Sequence, residues 1–399
     1  MADCSQLVNE TLQSALLRFI GNSDELARST VVLENPSSKA VRALRASGHD
    51  CLRTFSVMPS IKAARWILPL GNSRATLCGF QIYTPYAPVA RMLKAVVCAA
   101  IWAGWNGCGC DRLLVACREA LPLEALVAET TGETRPVFSM SLGPRGRGSK
   151  PTLQVMRPSG EILGYLKLPL TEAATERVRH EAEVLRRLGD FAALRPHIPR
   201  VLCAGESAIG YILFQSAGPL SPGPVEFGPL HESFLETLWR AYHVEKSGET
   251  LLEEVAARWR KAAPSLDAEW RRLGERAFKA AARELDGLSI PCGISHGDFA
   301  PWNTRLGDNR LFLFDWESAA WDVPILWDIF NYHVQVTTLL KRKSGTDLVL
   351  DCAGDNGCFL LYLLDSVLRC LERAGPSHSG IEHRKRILLR EPLCKGSTL

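Results

Sequence analysis

Asp298, Asn303 and Asp315 are the residues whose types and spacing could do chemistry. They stand in His296-Gly-Asp-Phe-Ala-Pro-Trp-Asn303 and in Asp315-Trp-Glu317, so an Asp-x4-Asn pair is followed twelve residues later by a second Asp. Phosphoryl transfer needs this set. One carboxylate accepts the proton of an attacking hydroxyl, while an amide oxygen and a second carboxylate hold the magnesium ions that bridge nucleotide phosphates. The intervening sequence must bring the three together. Asn303-Thr-Arg-Leu306 reads as a strand, Gly307-Asp-Asn309 as a tight turn, and Leu311-Phe-Leu-Phe314 as a fully buried strand ending at Asp315. Such a hairpin folds Asp315 back beside Asn303.

With these residues in view, the block resembles the catalytic and metal-binding loops of the aminoglycoside phosphotransferase and choline kinase family, the small-molecule branch of the protein-kinase-like fold. The resemblance implies a catalytic role for Asp298 and metal binding by Asn303 and Asp315. Protein kinases carry His-Arg-Asp and Asp-Phe-Gly at these places. His-Gly-Asp and Asp-Trp-Glu in this chain favour a small-molecule substrate over a protein. The resemblance also implies an α+β, bilobal architecture, with a small β-rich lobe holding one helix and a larger helical lobe, and a nucleotide bound in the cleft between them.

A phosphate lid, a Lys and a Glu are then required upstream. Val137–Leu142, Pro151–Met156 and Ile162–Leu168 read as three strands, and Gly143-Pro-Arg-Gly-Arg-Gly148 as the loop between the first two. Gly143, Gly146 and Gly148 would let backbone N–H groups approach phosphates. Their Gly-x-x-Gly-x-Gly spacing departs from that of protein kinases, and a flexible basic hairpin tip would have the same composition. Lys167 shares a face with Leu163 and Tyr165 and is the one charge of an otherwise largely apolar strand. A buried Lys needs a partner; a Lys at a strand end could instead snorkel to water. The next segment, Thr171–Leu188, has helical apolar spacing at Ala174, Val178, Leu185 and Leu188, with Thr171 as N-cap. Glu181, three after Val178 and four before Leu185, projects from the apolar face, whereas Glu183 sits with Arg179 and Arg187 on the wet face. Glu181 is therefore the candidate partner of Lys167. By resemblance, that pair orients the Lys on the phosphates of ATP.

Two more strands, Arg200–Ala204 and Tyr211–Gln215, complete this lobe, and Phe214–Gly218 reads as the connection to the next. From about residue 228 the periodicity is helical: Leu230–Tyr242, Thr250–Leu285 interrupted at Pro264, Ile325–Leu340 and Cys358–Ala374. Asp328 and His296 read as braces of the catalytic segment. Trp302, Trp316, Trp321 and Trp327 cluster around it in sequence; core packing, sugar stacking and caging of a quaternary ammonium all suit Trp. Glu317 and Asp322 could meet a cationic amine, as the resemblance to aminoglycoside kinases implies, and Glu317 could instead join the magnesium shell.

The division expected is 1–133 as an accessory region of unknown role, 134–218 as the kinase-like N-lobe and 219–399 as the helical C-lobe. In the first region, the apolar stretch from Val89 to Trp105 is interrupted by Arg91 and Lys94 and falls short of the roughly 20 residues needed to span a bilayer. A buried or partner-facing helix and a membrane-interface helix are the readings open for it. The region could serve a homodimer or a protein partner.

Composition fits a cytoplasmic protein: 46% hydrophobic and 23% charged residues, net charge +4, and 13 scattered Cys that read as reduced thiols. The modest charge gives no case for nucleic acid, and Lys341-Arg-Lys343 and His383-Arg-Lys-Arg386 read as solvated surfaces. The expected function is transfer of the γ-phosphate of ATP, with Mg2+, to a hydroxyl of an amino alcohol, an aminoglycoside-like molecule or a sugar. The alternative is a catalytically weak or inactive nucleotide-binding scaffold.

Overall fold

The computed structural model describes residues 9–21, 29–105, 107, 109–143, 148–341, 356–374 and 379–390. The chain divides into two compact units, 1–187 with 199–220, and 188–198 with 221–399. The first is built on a sheet and the second mainly on helices, so the α+β class expected from the sequence is borne out.

In the first unit the elements run α1 (Glu10–Ile20), β1 (Thr30–Glu34), α2 (Ser38–Ala46), β2 (Cys51–Met58), β3 (Trp66–Pro69), α3 (Ser73–Gly79), α4 (Pro88–Trp102), β4 (Asp111–Cys117) and α5 (Pro122–Thr131). There follow β5 (Val137–Ser141), β6 (Thr152–Met156), β7 (Ile162–Lys167), α6 (Glu172–Gly189), β8 (Val201–Gly205) and β9 (Ile212–Ser216). The strands form one nine-stranded sheet in the order β1-β4-β2-β3-β5-β6-β7-β9-β8. This corrects the expected boundary at residue 133. Trp66 pairs with Ser141 and Ile67 with Met140, so the ladder runs through that point without a break. The core explains why. Leu12, Leu16 and Phe19 of α1 pack with Phe55 and Leu113 from the first strands and with Phe138, Leu153 and Leu166 from the later ones. One apolar face, shared by both halves, is buried under α1 together with Leu123 and Val127 of α5.

The second unit continues with β10 (Ser221–Pro222), α7 (Pro229–Ala241), β11 (His243–Ser247), α8 (Gly248–Ala262), α9 (Ala268–Leu285) and β12 (Ser289–Ser295). Then come β13 (Thr304–Gly307), β14 (Arg310–Leu313), β15 (Ala320–Pro324), α10 (Leu326–Val336), α11 (Asn356–Ala374) and α12 (Ser379–Arg390). Trp259, Trp270, Phe359 and Tyr362 centre its helical core. Pro264 interrupts the helical stretch as expected, and Asp267 caps α9 by accepting from the Trp270 N–H at 2.7 Å. Two three-stranded sheets, β10-β13-β14 and β11-β12-β15, carry the loops discussed below. One expectation fails in part here: of the basic run 383–386, Arg386 is exposed, but the two residues before it are not. Arg384 and Lys385 are buried, with Arg384 Nε donating to Ser366 Oγ at 2.6 Å and Lys385 Nζ 2.7 Å from Glu269. Residues 342 and 343 lie outside the described residues.

Candidate functional site

The candidate residues fall in both units, and each group has its own local architecture. In the first unit, β7 lies between β6 and β9, and Lys167 ends it. Thr171 Oγ1 accepts from the Ala174 N–H at 3.1 Å and so starts α6, which carries Glu181. The Lys167 ammonium meets both Glu181 carboxylate oxygens, at 2.7 and 2.6 Å, with 4% and 0% of the two side chains exposed. Glu183 is exposed, as its helical position required. A charge this deep persists because its partner is equally deep.

Of the glycine loop, Gly143 has φ +66, a conformation suited to Gly, and a Cβ there would touch Lys150 O at 3.9 Å; Gly146 lies outside the described residues. A Cβ on Gly148 would meet Arg177 Nη1 of α6 at 2.7 Å. The next residue, Ser149, has a buried hydroxyl without a hydrogen-bond partner among the described residues. Sequence reasoning passed over a second feature. Ser139, Gln154, Tyr165 and Gln215 stand in cross-strand register on four adjacent strands, on the face that bears Lys167. Ser139 Oγ donates to Gly79 O (3.0 Å) and Gln154 Nε2 to Cys78 O (2.7 Å), while Gln154 Oε1 and Gln215 Oε1 are buried without a hydrogen-bond partner among the described residues. The signal available was the polar residue on each otherwise apolar strand.

In the second unit, β12 delivers His296-Gly-Asp298. The turn after it is clamped by Asp328 of α10, whose carboxylate accepts from Ser295 Oγ (2.9 Å), His296 N (2.7 Å) and Gly297 N (3.0 Å). Gly297 has φ +73, and a Cβ there would fall 2.1 Å from Ser318 O, so no other residue fits. The Asp298 N–H donates to His296 Nδ1 at 3.3 Å, which leaves the proton on Nε2, 3.1 Å from Phe314 O. His296 thus ties the Asp298 loop to the strand leading to Asp315.

The expected hairpin is present: Thr304 pairs with Leu313 and Gly307 with Arg310. Asp308 and Asn309 both have positive φ (49 and 58), as a primed two-residue turn demands. The second strand is buried on one face only, at Leu311 and Leu313, rather than throughout. Asn303 Nδ2 donates to Asp298 O (2.8 Å) and to Asp298 Oδ2 (3.1 Å), and Asn303 O accepts from the Phe314 N–H at 3.2 Å. Asp298 and Asn303 are therefore in contact, and Asp315 follows the residue bonded to Asn303. Asp315 itself has φ +71, a strained conformation for a carboxylate residue and the kind kept at sites that need it. Because Asp298 takes both hydrogen bonds of the Asn303 amide nitrogen, Oδ1 is the atom of Asn303 left to bind a cation.

Among the described residues no group of three or more His, Cys, Asp or Glu could hold a metal. Asp298, Asn303 and Asp315 offer oxygen donors only. That suits Mg2+, which takes one or two carboxylates when phosphates and water complete its shell. Trp316 and Trp327 are core residues, whereas Trp302 and Trp321 are half-buried. Trp321 stands edge-on to Tyr242, whose hydroxyl donates to Asp322 at 2.5 Å.

No curated protein matches this chain. Solved structures similar to it include the aminoglycoside phosphotransferase APH(4)-Ia, a thermostable mutant in ternary complex with ADP and hygromycin B. It is 13% identical, with 69% of this chain and 99% of that one covered and a TM-score of 0.47. The gentamicin complex of APH(2")-IIa is 12% identical over 68% of this chain and 96% of that one, at TM-score 0.43. A choline/ethanolamine kinase family protein from Mesorhizobium loti is 16% identical over 68% and 94%, at TM-score 0.41. Residues 164–333, the stretch that holds Lys167, Glu181, Asp298, Asn303 and Asp315, match the phosphotransferase enzyme family (APH).

Proposed function

We propose that this protein is a phosphotransferase that moves the γ-phosphate of ATP to a hydroxyl of a small molecule. The observation that carries the reading is the contact of Asp298 with Asn303 at 3.1 Å, on a loop tied by His296 to the strand before Asp315. Asp298, whose Oδ2 accepts from Asn303, would orient the acceptor hydroxyl and take its proton. Asn303 Oδ1 and the Asp315 carboxylate would hold magnesium, which when bound neutralises charge on the transferring phosphate. Lys167, kept extended by Glu181, would hold the nucleotide phosphates. The proton acceptor and the metal donors are fixed before substrate arrives, so positioning and preorganised electrostatics supply the rate.

Acceptors open to the reading are amino alcohols, aminoglycoside-like molecules and sugars. The test is ATP consumption against a panel of small hydroxylated metabolites, with Asp298→Asn as control. Transfer to at least one acceptor, reduced by two or more orders of magnitude in Asp298→Asn, supports the reading. ATP bound but transferred to no acceptor, or transfer undiminished in Asp298→Asn, refutes it.

A further inference from the structure

Helix α4 is the anomaly of the first unit. It runs Pro-Val-Ala-Arg-Met-Leu-Lys-Ala-Val-Val-Cys-Ala-Ala-Ile-Trp, and only Ile101 is buried. Val89, Met92, Leu93 and Val96 are 57 to 66% exposed, and Trp102 is 82% exposed. Five of the ten exposed large hydrophobic side chains among the described residues thus fall on this one helix. At 3.6 residues per turn they share about half its circumference, with Arg91 at the border beside Trp102. Its main neighbour among the described elements is α3. An apolar helix of this kind is normally covered.

Charge decides what covers it. Residues 51–110 contain six Lys or Arg (Arg53, Lys62, Arg65, Arg74, Arg91 and Lys94) and no Asp or Glu. Arg53 pairs inward with Glu124, and Lys94 donates to Tyr83 O at 2.5 Å. Lys62, Arg65, Arg74 and Arg91 are exposed, and Arg74 lies on α3, against which α4 packs. A second copy of the chain would set two such basic stretches against each other. An anionic lipid surface complements both features: apolar side chains enter the acyl boundary, Trp102 sits at the headgroup level and the cations meet lipid phosphates. The helix has 15 residues, and no described helix is long and apolar enough to cross a membrane.

We infer that α4 docks this protein in-plane on membranes rich in anionic phospholipid, through Val89, Met92, Val96 and Trp102, with Arg91 and Arg74 at the rim. The inference stands apart from the phosphotransferase reading.

Flotation of the purified full chain with phosphatidylcholine vesicles, with and without phosphatidylserine, tests it. The expected result is recovery with phosphatidylserine vesicles, weakened by salt and by Arg91→Glu. Recovery should fall at least tenfold in the double variant Met92→Glu/Val96→Glu. Both positions are exposed, so the circular dichroism spectrum of that variant should match the wild type. Equal recovery with and without phosphatidylserine, or undiminished recovery in both variants, overturns the inference. So does sedimentation as a dimer, without vesicles, that Val96→Glu converts to monomer, because the face then belongs to a second copy.

Discussion

Removing the Glu181 carboxylate should cost this protein more than removing the whole Lys167–Glu181 pair. In Glu181→Ala the Lys167 side chain, 4% exposed, loses two contacts of 2.7 and 2.6 Å. Breaking a buried ion pair by removing one partner costs about 3–5 kcal/mol, and Lys167→Ala breaks the same pair from the other side. Against a total stability of roughly 5–15 kcal/mol, a loss of about 4 kcal/mol moves the folding equilibrium by nearly a thousandfold. The double variant Lys167→Met/Glu181→Leu replaces the pair by apolar groups of similar volume and should lie within about 1–2 kcal/mol of wild type. Urea denaturation of the four proteins gives the coupling directly, expected at several kcal/mol of non-additivity. A phosphate-transfer assay on the same samples separates stability from function: the double variant should be folded and inactive. Additive losses, or a double variant that still transfers phosphate, would refute the assignment of Lys167 to the phosphates through Glu181.

Asp315→Ala should abolish magnesium-dependent nucleotide binding measured by calorimetry; unchanged binding removes Asp315 from the metal site. Gly297→Ala forces a Cβ to within 2.1 Å of Ser318 O at φ +73. A loss of at least about 2 kcal/mol is expected in denaturation, and transfer should fall with it. His231 is buried against Phe227, Phe299 and Tyr332, and burial pulls its pKa down to about 4. The folded state therefore binds fewer protons than the unfolded one below the ordinary His value of 6.5. Stability should decline as pH falls from about 6.5 to about 4, by up to roughly 3 kcal/mol, and change no further from this group below that. His231→Phe should flatten that part of the pH profile in denaturation melts; an unchanged slope excludes His231 as its source.

The parts legible in the sequence were those where a single residue type is forced. Asp308 and Asn309 mark a turn that needs left-handed residues, and the hairpin then fixes where Asn303 and Asp315 stand. Glu181 is separable from Glu183 because a helix turns 100° per residue, so one faces the core and the other water. Less could be read where tertiary context overrides local pattern. His243-Val-Glu-Lys-Ser247 alternates weakly and has only half-buried residues at Val244 and Lys246, yet it is a strand because β12 lies alongside it. Arg384 and Lys385 look like solvent charges until α12 packs on the helices carrying Ser366 and Glu269. The union of β1–β4 with β5–β9 depends on the pairing of β3 with β5, which lie about 70 residues apart and leave no local signature.

That union limits how the chain can be shortened. A version starting at residue 134 would keep every residue of the 164–333 match. It would nevertheless leave β5 as an open edge, with its N–H and C=O groups unpaired where Trp66 and Ile67 now bond. It would also strip α1 from Phe138, Leu153 and Leu166. Uncapped hydrogen-bonding strands above bare hydrophobic surface are a template for aggregation. The amino-terminal third thus supplies four of the nine strands and the helix that covers Phe138, Leu153 and Leu166, and a shortened chain that keeps β5 paired must include it.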